Sequence, residues 1–164
     1  MPRTGKVQKR IISPDPIYHS PLVAKLINKV MMGGKKTLAQ KTVYMAFEDI
    51  SKKGMEPLPT FEKAVENILP KMEVKPRRVG GASYMVPMEV RGPRRQSLAI
   101  TWLVNAARSN SAKDIERIEK APPIAAKVAK EIIQAAKGEG NAIAKKEEMH
   151  RMAEANKAFA HFRW

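Results

Sequence analysis

MEVKPRRVGGASYMVPMEVRGPRR, residues 72–95, decides the fold, because here a chain that otherwise reads as helix changes to two short alternating runs, Met72–Val79 and Tyr84–Val90, around Gly80-Gly81. A glycine pair between alternating runs reads as a hairpin turn. Pro76 and Pro87 fall inside the runs, and proline cannot donate to a ladder, so neither run suits a central strand of a larger sheet. No third strand-like run exists to build one. An isolated two-stranded ribbon is marginal in water and needs a helical body behind it or a partner in front of it. Six cations (Lys75, Arg77, Arg78, Arg91, Arg94, Arg95) face one acid, Glu89, leaving a net +5 over the 21 residues from Lys75 to Arg95. A basic arm roughly 25 Å long, at about 3.3 Å per residue, is shaped to reach into a groove of nucleic acid. A short hairpin lying flat on its own domain is the alternative.

Working outward, the flanks read as helices. Ser20 caps a first helix, with Pro21 at its first position and Leu22, Val23, Leu26, Ile27 and Val30 as its apolar stripe, and Gly33-Gly34 stops it. A second follows Lys35-Lys36, buries Leu38, Val43, Phe47 and Ile50, and ends at Gly54. A third starts between Pro57 and Thr60, carries Phe61, Ala64, Val65, Ile68 and Leu69, and is stopped by Pro70. Beyond the ribbon, a fourth begins near Pro93 and repeats Leu98, Trp102 and Ala106 beside Ala99, Leu103 and Ala107, a band wide enough to be central. Residues 109–123 form a charged connection with room for a short helix through Ile115 and Ile118. A fifth helix runs from Pro122-Pro123 to Gly138, with Ile124, Val128 and Ile132 beside Ala125, Ala129 and Ile133. A sixth spans about Ala142 to Ala158. Four segments therefore modify one 164-residue domain: a basic arm over 1–19, the ribbon over 72–91, the connection over 109–123, and a C-terminal helix and tail over 142–164. The fold class expected is mainly α, six helices with a protruding two-stranded ribbon between the third and fourth.

Thirty-one Lys and Arg against 16 Asp and Glu give +15 at neutral pH, the footprint of a polyanion binder, with nucleic acid ahead of an anionic membrane surface. No window approaches a membrane span, and the basic start is followed by no secretory core segment. The absence of Cys excludes disulfides and thiolate metal sites. Gly33-Gly34-Lys35-Lys36-Thr37 is not a phosphate loop, since the glycine four residues ahead of the Gly-Lys pair is missing and Lys36 stands where Ser or Thr would hold magnesium. Two lysines at a helix start can still grip a phosphate diester. Glu147, Glu148 and His150 lack the spacing of a zinc helix, and no Gly-x-Ser-x-Gly elbow is present. Neither an enzyme nor a cofactor is expected.

The chain resembles protein seven of the small ribosomal subunit in its bacterial form. The resemblance rests on Pro14-Asp15-Pro16, Leu22-Val23-Ala24-Lys25, Gly34-Lys35-Lys36, Phe61-Glu62-Lys63-Ala64, Val74 to Ala82, Trp102-Leu103-Val104 and the tail His150 to His161, in the family's order. It implies a ribosomal RNA-binding protein that nucleates assembly of the subunit head. It also implies a place beside the exit site, facing transfer RNA and the path of departing messenger RNA, with small-subunit proteins nine and eleven as neighbours. Carried over residue by residue, the ribosomal RNA candidates are Arg3, Lys6, Lys9, Arg10, Lys35, Lys36, Lys75, Arg77, Arg78, Arg94 and Arg95. The transfer RNA candidates are Arg78, Val79, Gly80, Gly81, Ala82, Tyr84, Arg151, Asn156 and Lys157. The ribosome implied is cytoplasmic, with an organellar one left open. The connection over 109–123 is about nine residues longer than the family leads one to expect. An architectural DNA-binding protein stays open as a second reading, since basic ribbons on helical bodies also bend duplexes. Its weakness is the tip, Val79-Gly80-Gly81-Ala82, which offers no wedge. A membrane-surface role for the fifth helix is a third, set back by few large apolar residues beside Lys127, Lys130 and Lys137.

Overall fold

A computed structural model describes residues 11–110 and 122–162, together with Gly5. Its elements are α1 (Pro21–Val30), α2 (Lys36–Lys52), α3 (Pro57–Ile68), β1 (Met72–Val79), β2 (Ala82–Glu89), α4 (Gly92–Ser109), α5 (Pro123–Lys137), α6 (Asn141–Ala155) and a 3₁₀ helix, Lys157–Phe162. The expected class holds: a mainly helical chain with one antiparallel hairpin between the third and fourth helices.

Small side chains let the helices come close. α5 packs against α2, α3 and α4 through Ala125, Val128, Ala129, Ile132 and Ala135, all without solvent exposure. Across from it stand Phe47, Ile50, Phe61, Ile68 and Leu103, also fully buried. Phe47 meets Phe61 with ring centroids 5.7 Å apart, and Tyr18 packs edge-on to Phe47 at 4.9 Å, tying the segment before α1 into this core. Truncating Phe47 to Ala would cost about 3–5 kcal/mol, the usual penalty for an emptied aromatic site. α5 closes in a Schellman turn: Glu139 N–H donates to Gln134 O at 2.9 Å and Gly138 N–H to Ala135 O at 3.1 Å, with Gly138 at φ 87°.

The ribbon pairs Met72 with Glu89 through Val79 with Ala82, so the loop is only Gly80-Gly81, at φ 58° and 89°. Positive φ at both positions is the requirement of the hairpin turn whose twist matches its strands. Strand two thus begins at Ala82, two residues before the expected Tyr84. Val90 N–H donates to Lys71 O at 3.1 Å, which fixes the parity of the ladder. Pro76 opposite Met85 and Pro87 opposite Val74 then fall in non-hydrogen-bonded pairs, whose N–H positions point away from the partner strand. The ladder loses nothing to either proline. Pro76, exposed on the edge of β1, denies a donor to any strand adding there. Pro87 is buried, so its missing N–H spares the fold an orphaned donor.

Three expectations need correction. Leu38 is not core: it is 52% exposed on the first turn of α2, and Ala39 and Thr42 take the inward positions. α6 ends at Ala155 rather than Ala158, because the chain tightens into the 3₁₀ helix that brings Phe159 and Phe162 against Tyr84, at 5.2 and 5.3 Å. On α4 the core band is Ala99, Ile100, Leu103, Val104, Ala106 and Ala107, while Leu98 and Trp102 are half-buried beside it. The helix expected through Ile115 and Ile118 lies outside the described residues.

Candidate nucleic-acid interface

Side chains of a strand alternate between faces. Arg77, opposite Tyr84, therefore shares a face with Lys75, whereas Arg78, opposite Ser83, lies on the other. The ribbon's inner end is buried at Glu73, Val86, Pro87 and Val90, while Lys75, Pro76, Arg78 and residues 80–83 are exposed. A Cβ added at Gly80 or Gly81 would meet nothing within 4 Å, so both turn positions border open space.

The inner end carries an ion cluster. Glu73, 4% exposed, accepts from Arg94 Nε at 2.7 Å (Oε2) and 3.0 Å (Oε1), and Lys75 Nζ stands 2.9 Å from Oε1. Burial pushes this carboxyl upward, but the hydrogen bonds from Lys75 and Arg94 and their charges outweigh it and hold it below the ordinary carboxylate value. The guanidinium of Arg94 therefore joins α4 to β1, while about half of the side chain's surface stays in solvent. Arg95 Nη2 donates to Val90 O at 3.3 Å, and its Nε is buried without a hydrogen-bond partner among the described residues.

The far end of α4 carries a second basic group. Arg108 Nη2 donates to Val30 O, the last carbonyl of α1, at 3.3 Å, and this places it at the loop holding Lys35 and Lys36. The rise of 1.5 Å per residue puts Arg94 and Arg108 about 21 Å apart along α4. Between the two ends lies the root of the N-terminal arm. Ile12 lines one hollow with Lys25, Lys29, Pro93 and Ser97, and a second with Lys36 and Gln40. The root itself is clamped: Asp15 accepts from the amides of Ile17 and Tyr18 at 3.1 Å and from the Tyr44 hydroxyl at 2.8 Å. Burial first, and then that hydrogen bond, push the Tyr44 hydroxyl up to about 12. Arg3, Lys6, Lys9 and Arg10 lie outside the described residues.

The transfer RNA candidates come from two elements that the fold joins. β2 packs on the 3₁₀ helix and β1 on α6, with Tyr84 against Phe159 and Phe162, so ribbon and α6 end form one surface. Arg151 and Lys157 are exposed, and Lys157 lines a hollow with Met72 and Pro87 of the ribbon. Asn156 uses its side-chain amide to donate to Met152 O at 2.8 Å. His150 accepts the Lys71 N–H on Nε2 at 2.9 Å, an arrangement open only to the neutral ring; burial, then Lys146 and Lys71, hold its pKa below 6.5.

Sequence reading missed Glu73, Arg108 and Glu131. Glu73 had a signal, its two-residue spacing from Lys75 on one strand face. Arg108 had none beyond its place in a last helical turn. Glu131, without solvent exposure, accepts from the Ala142 amide and Asn110 Nδ2, both at 2.9 Å, and so caps α6 from α5.

The family model of ribosomal protein S7p/S5e matches residues 2–157. The chain is 56% identical to small ribosomal subunit protein uS7 of Carboxydothermus hydrogenoformans and 56% identical to that of Caldanaerobacter subterraneus subsp. tengcongensis, each over 100% of both chains. With the uS7 of Thermotoga neapolitana it shares 55% over 99% of each.

Proposed function

The chain belongs to the ribosomal protein S7p/S5e family, a structural, non-enzymatic RNA-binding protein of the small subunit of the cytoplasmic ribosome, and on that premise we propose how it meets its RNA. Arg3, Lys6, Lys9 and Arg10 of the arm, Lys35 and Lys36 before α2, and Lys75, Arg77, Arg78, Arg94 and Arg95 at the ribbon hold phosphates of the ribosomal RNA. This grip forms early and nucleates the head of the subunit. The bare tip, Arg78 to Ala82 with Tyr84, and the α6 end at Arg151, Asn156 and Lys157 face exit-site transfer RNA and the path of departing messenger RNA. Proteins nine and eleven of the subunit are the protein neighbours.

The observation that carries the reading is the position of Ile12, which borders both the Lys36 hollow and the one at Pro93 and Ser97. Arm root, lysine pair and ribbon base thereby flank one another, so a single RNA junction can engage all three. Phosphate contacts release counterions, and about six to ten of them make affinity fall by on the order of 10³ to 10⁵ between 50 and 200 mM salt. Titrating a head-domain ribosomal RNA fragment across that range tests it. A flat salt response, or equal affinity for arbitrary duplex DNA at about 150 mM salt, overturns the reading.

A further inference from the structure

A hollow of about 540 Å³ opens between the end of α1 and the start of α2, with Val30, Met31, Met32, Lys35, Leu38 and Arg108 among its lining residues. That volume falls in the roughly 300–1,000 Å³ range of small-ligand pockets. Met32 is 70% exposed and Leu38 52% exposed, two large apolar side chains offered to water on the part of the molecule with Lys35 and Lys36. Among its described lining residues the charge is of one sign, Lys35 and Arg108. Arg108 does not float there: its Nη2 bond to Val30 O fixes the guanidinium at the rim, with its remaining donors available. The loop between is held by Lys35 N–H on Met32 O at 3.1 Å and Lys36 N–H on Gly34 O at 2.8 Å, so the floor is preformed.

We infer that this hollow receives one unstacked nucleotide of the RNA, its base laid on Met32 and Leu38 and its phosphate held by Lys35 and Arg108. The inference rests on the ribosomal RNA reading above and adds what the site distinguishes. A duplex presents phosphates and ribose but no base faces, so it can satisfy the rim and leave the apolar floor wet. An unpaired base covers the floor with a flat, polarisable face, which thioethers accept well. Charge complementarity selects this occupant: an apolar side chain of a neighbouring protein brings no anion, and a second copy of the chain, at a net +15, is repelled by the cationic rim.

The test uses the full-length protein and a head-domain ribosomal RNA fragment. Met32→Ser with Leu38→Ser changes exposed positions and leaves both cations in place. It is expected to weaken binding by roughly two- to tenfold, the scale of losing a thioether's contact with a flat ring, with the slope of affinity against salt unchanged. Lys35→Gln with Lys36→Gln is expected instead to reduce that slope by about one to two. In peroxide footprinting, Met32 should oxidise readily in the free protein and be protected in the complex. If wild type binds with its salt dependence but the serine variant binds equally well, or Met32 stays oxidisable in the complex, the inference is overturned while the RNA reading stands. If the serine variant alters only self-association in sedimentation, the occupant is a second copy and the inference is again overturned. If wild type shows no salt-dependent binding, the RNA reading itself has failed.

Discussion

Arg94 Nε stands 2.7 Å from Oε2 of Glu73, a carboxylate 4% exposed at the root of the ribbon. The contact links the first turn of α4 to the second residue of β1, so a basic residue that sequence assigns to RNA also sets where the ribbon points. Removing Arg94 would leave the buried carboxylate with Lys75 as its one cation among the described residues.

Arg94→Ala should therefore lower stability even without RNA. Breaking a fully buried pair costs roughly 3–5 kcal/mol, but the Arg94 side chain is 54% exposed and solvent screens the pair, so about 1–2 kcal/mol is expected. Glu73→Gln in the same chain should restore part of it, because an amide tolerates burial without a cation. Urea midpoints with an unchanged denaturant slope measure this. A midpoint identical to wild type for Arg94→Ala would show that the tie carries no weight.

What the sequence disclosed and what it hid divide along the range of the forces involved. Helices α1, α3 and α5 were legible because prolines open them and apolar residues recur every three or four positions. The hairpin was legible because Gly80-Gly81 permits only a narrow choice of turn. Leu38 suggests a core place by its apolar side chain alone: at about 100° per residue it stands about 140° from Val43 and about 180° from Phe47, so the helical period itself puts it off the inward stripe of α2. The end of α6 was placed late because Ala158 continues an alanine-rich pattern. What stops the helix is Phe159 and Phe162 reaching Tyr84, more than 70 residues earlier in the chain. A sum of cations from Lys75 to Arg95 stops two residues short of Glu73, which fixes Arg94, and Val30 O, which fixes Arg108, is a backbone carbonyl with no charge to count.

Acidification should loosen the ribbon from α6. His150 accepts the Lys71 amide only when neutral, and its pKa in the folded chain lies below 6.5. The unfolded chain takes up the proton first, so the contribution of the neutral ring is complete above about 6.5 and is lost as pH falls through the depressed folded value. Glu73, also held low, adds a loss of the same sign below about 4.5. Melting temperature measured from pH 7.5 to 5 should fall in wild type and fall less in His150→Gln, whose amide oxygen can accept without titrating. Parallel curves for the two proteins would remove His150 from the explanation.

Alkali should act at the other end of the molecule. Tyr44 donates to buried Asp15 and ionises only at about 12. Its folded pKa lies above the unfolded value near 10, so its contribution is complete below about 10 and lost as pH rises through about 12. Tyr44→Phe should cost about 0.5–1.5 kcal/mol at neutral pH, the net worth of one hydrogen bond. It should also remove the phenolate component that ionises at the highest pH, about 12, from the absorbance titration. If the phenol lost in Tyr44→Phe is instead one that titrates near the ordinary value of 10, the hydroxyl is not held as the geometry requires.

Charge and close approach should prove separable in the ribbon. Gly80 and Gly81 sit at φ 58° and 89° with no neighbour within 4 Å of an added Cβ, so substitution there strains the turn without disturbing the core. A valine pair costs of order 1–3 kcal/mol per strained position and re-aims the tip, which carries the proposed contact with transfer RNA. Arg94→Ala with Arg95→Ala instead removes charged hydrogen bonds at the base and should weaken ribosomal RNA binding by roughly 1–3 kcal/mol, of which the part due to Glu73 is measured separately by the urea experiment. Subunit heads should therefore assemble poorly in the arginine variant and normally in the valine variant, while retention of deacylated transfer RNA in the exit site should drop chiefly in the valine variant. Gradient sedimentation of subunits and filter binding of transfer RNA, run on both, decide it. Should the valine variant fail to enter subunits while the arginine variant enters normally, the tip is the anchor and the base the pointer, the reverse of the roles argued here.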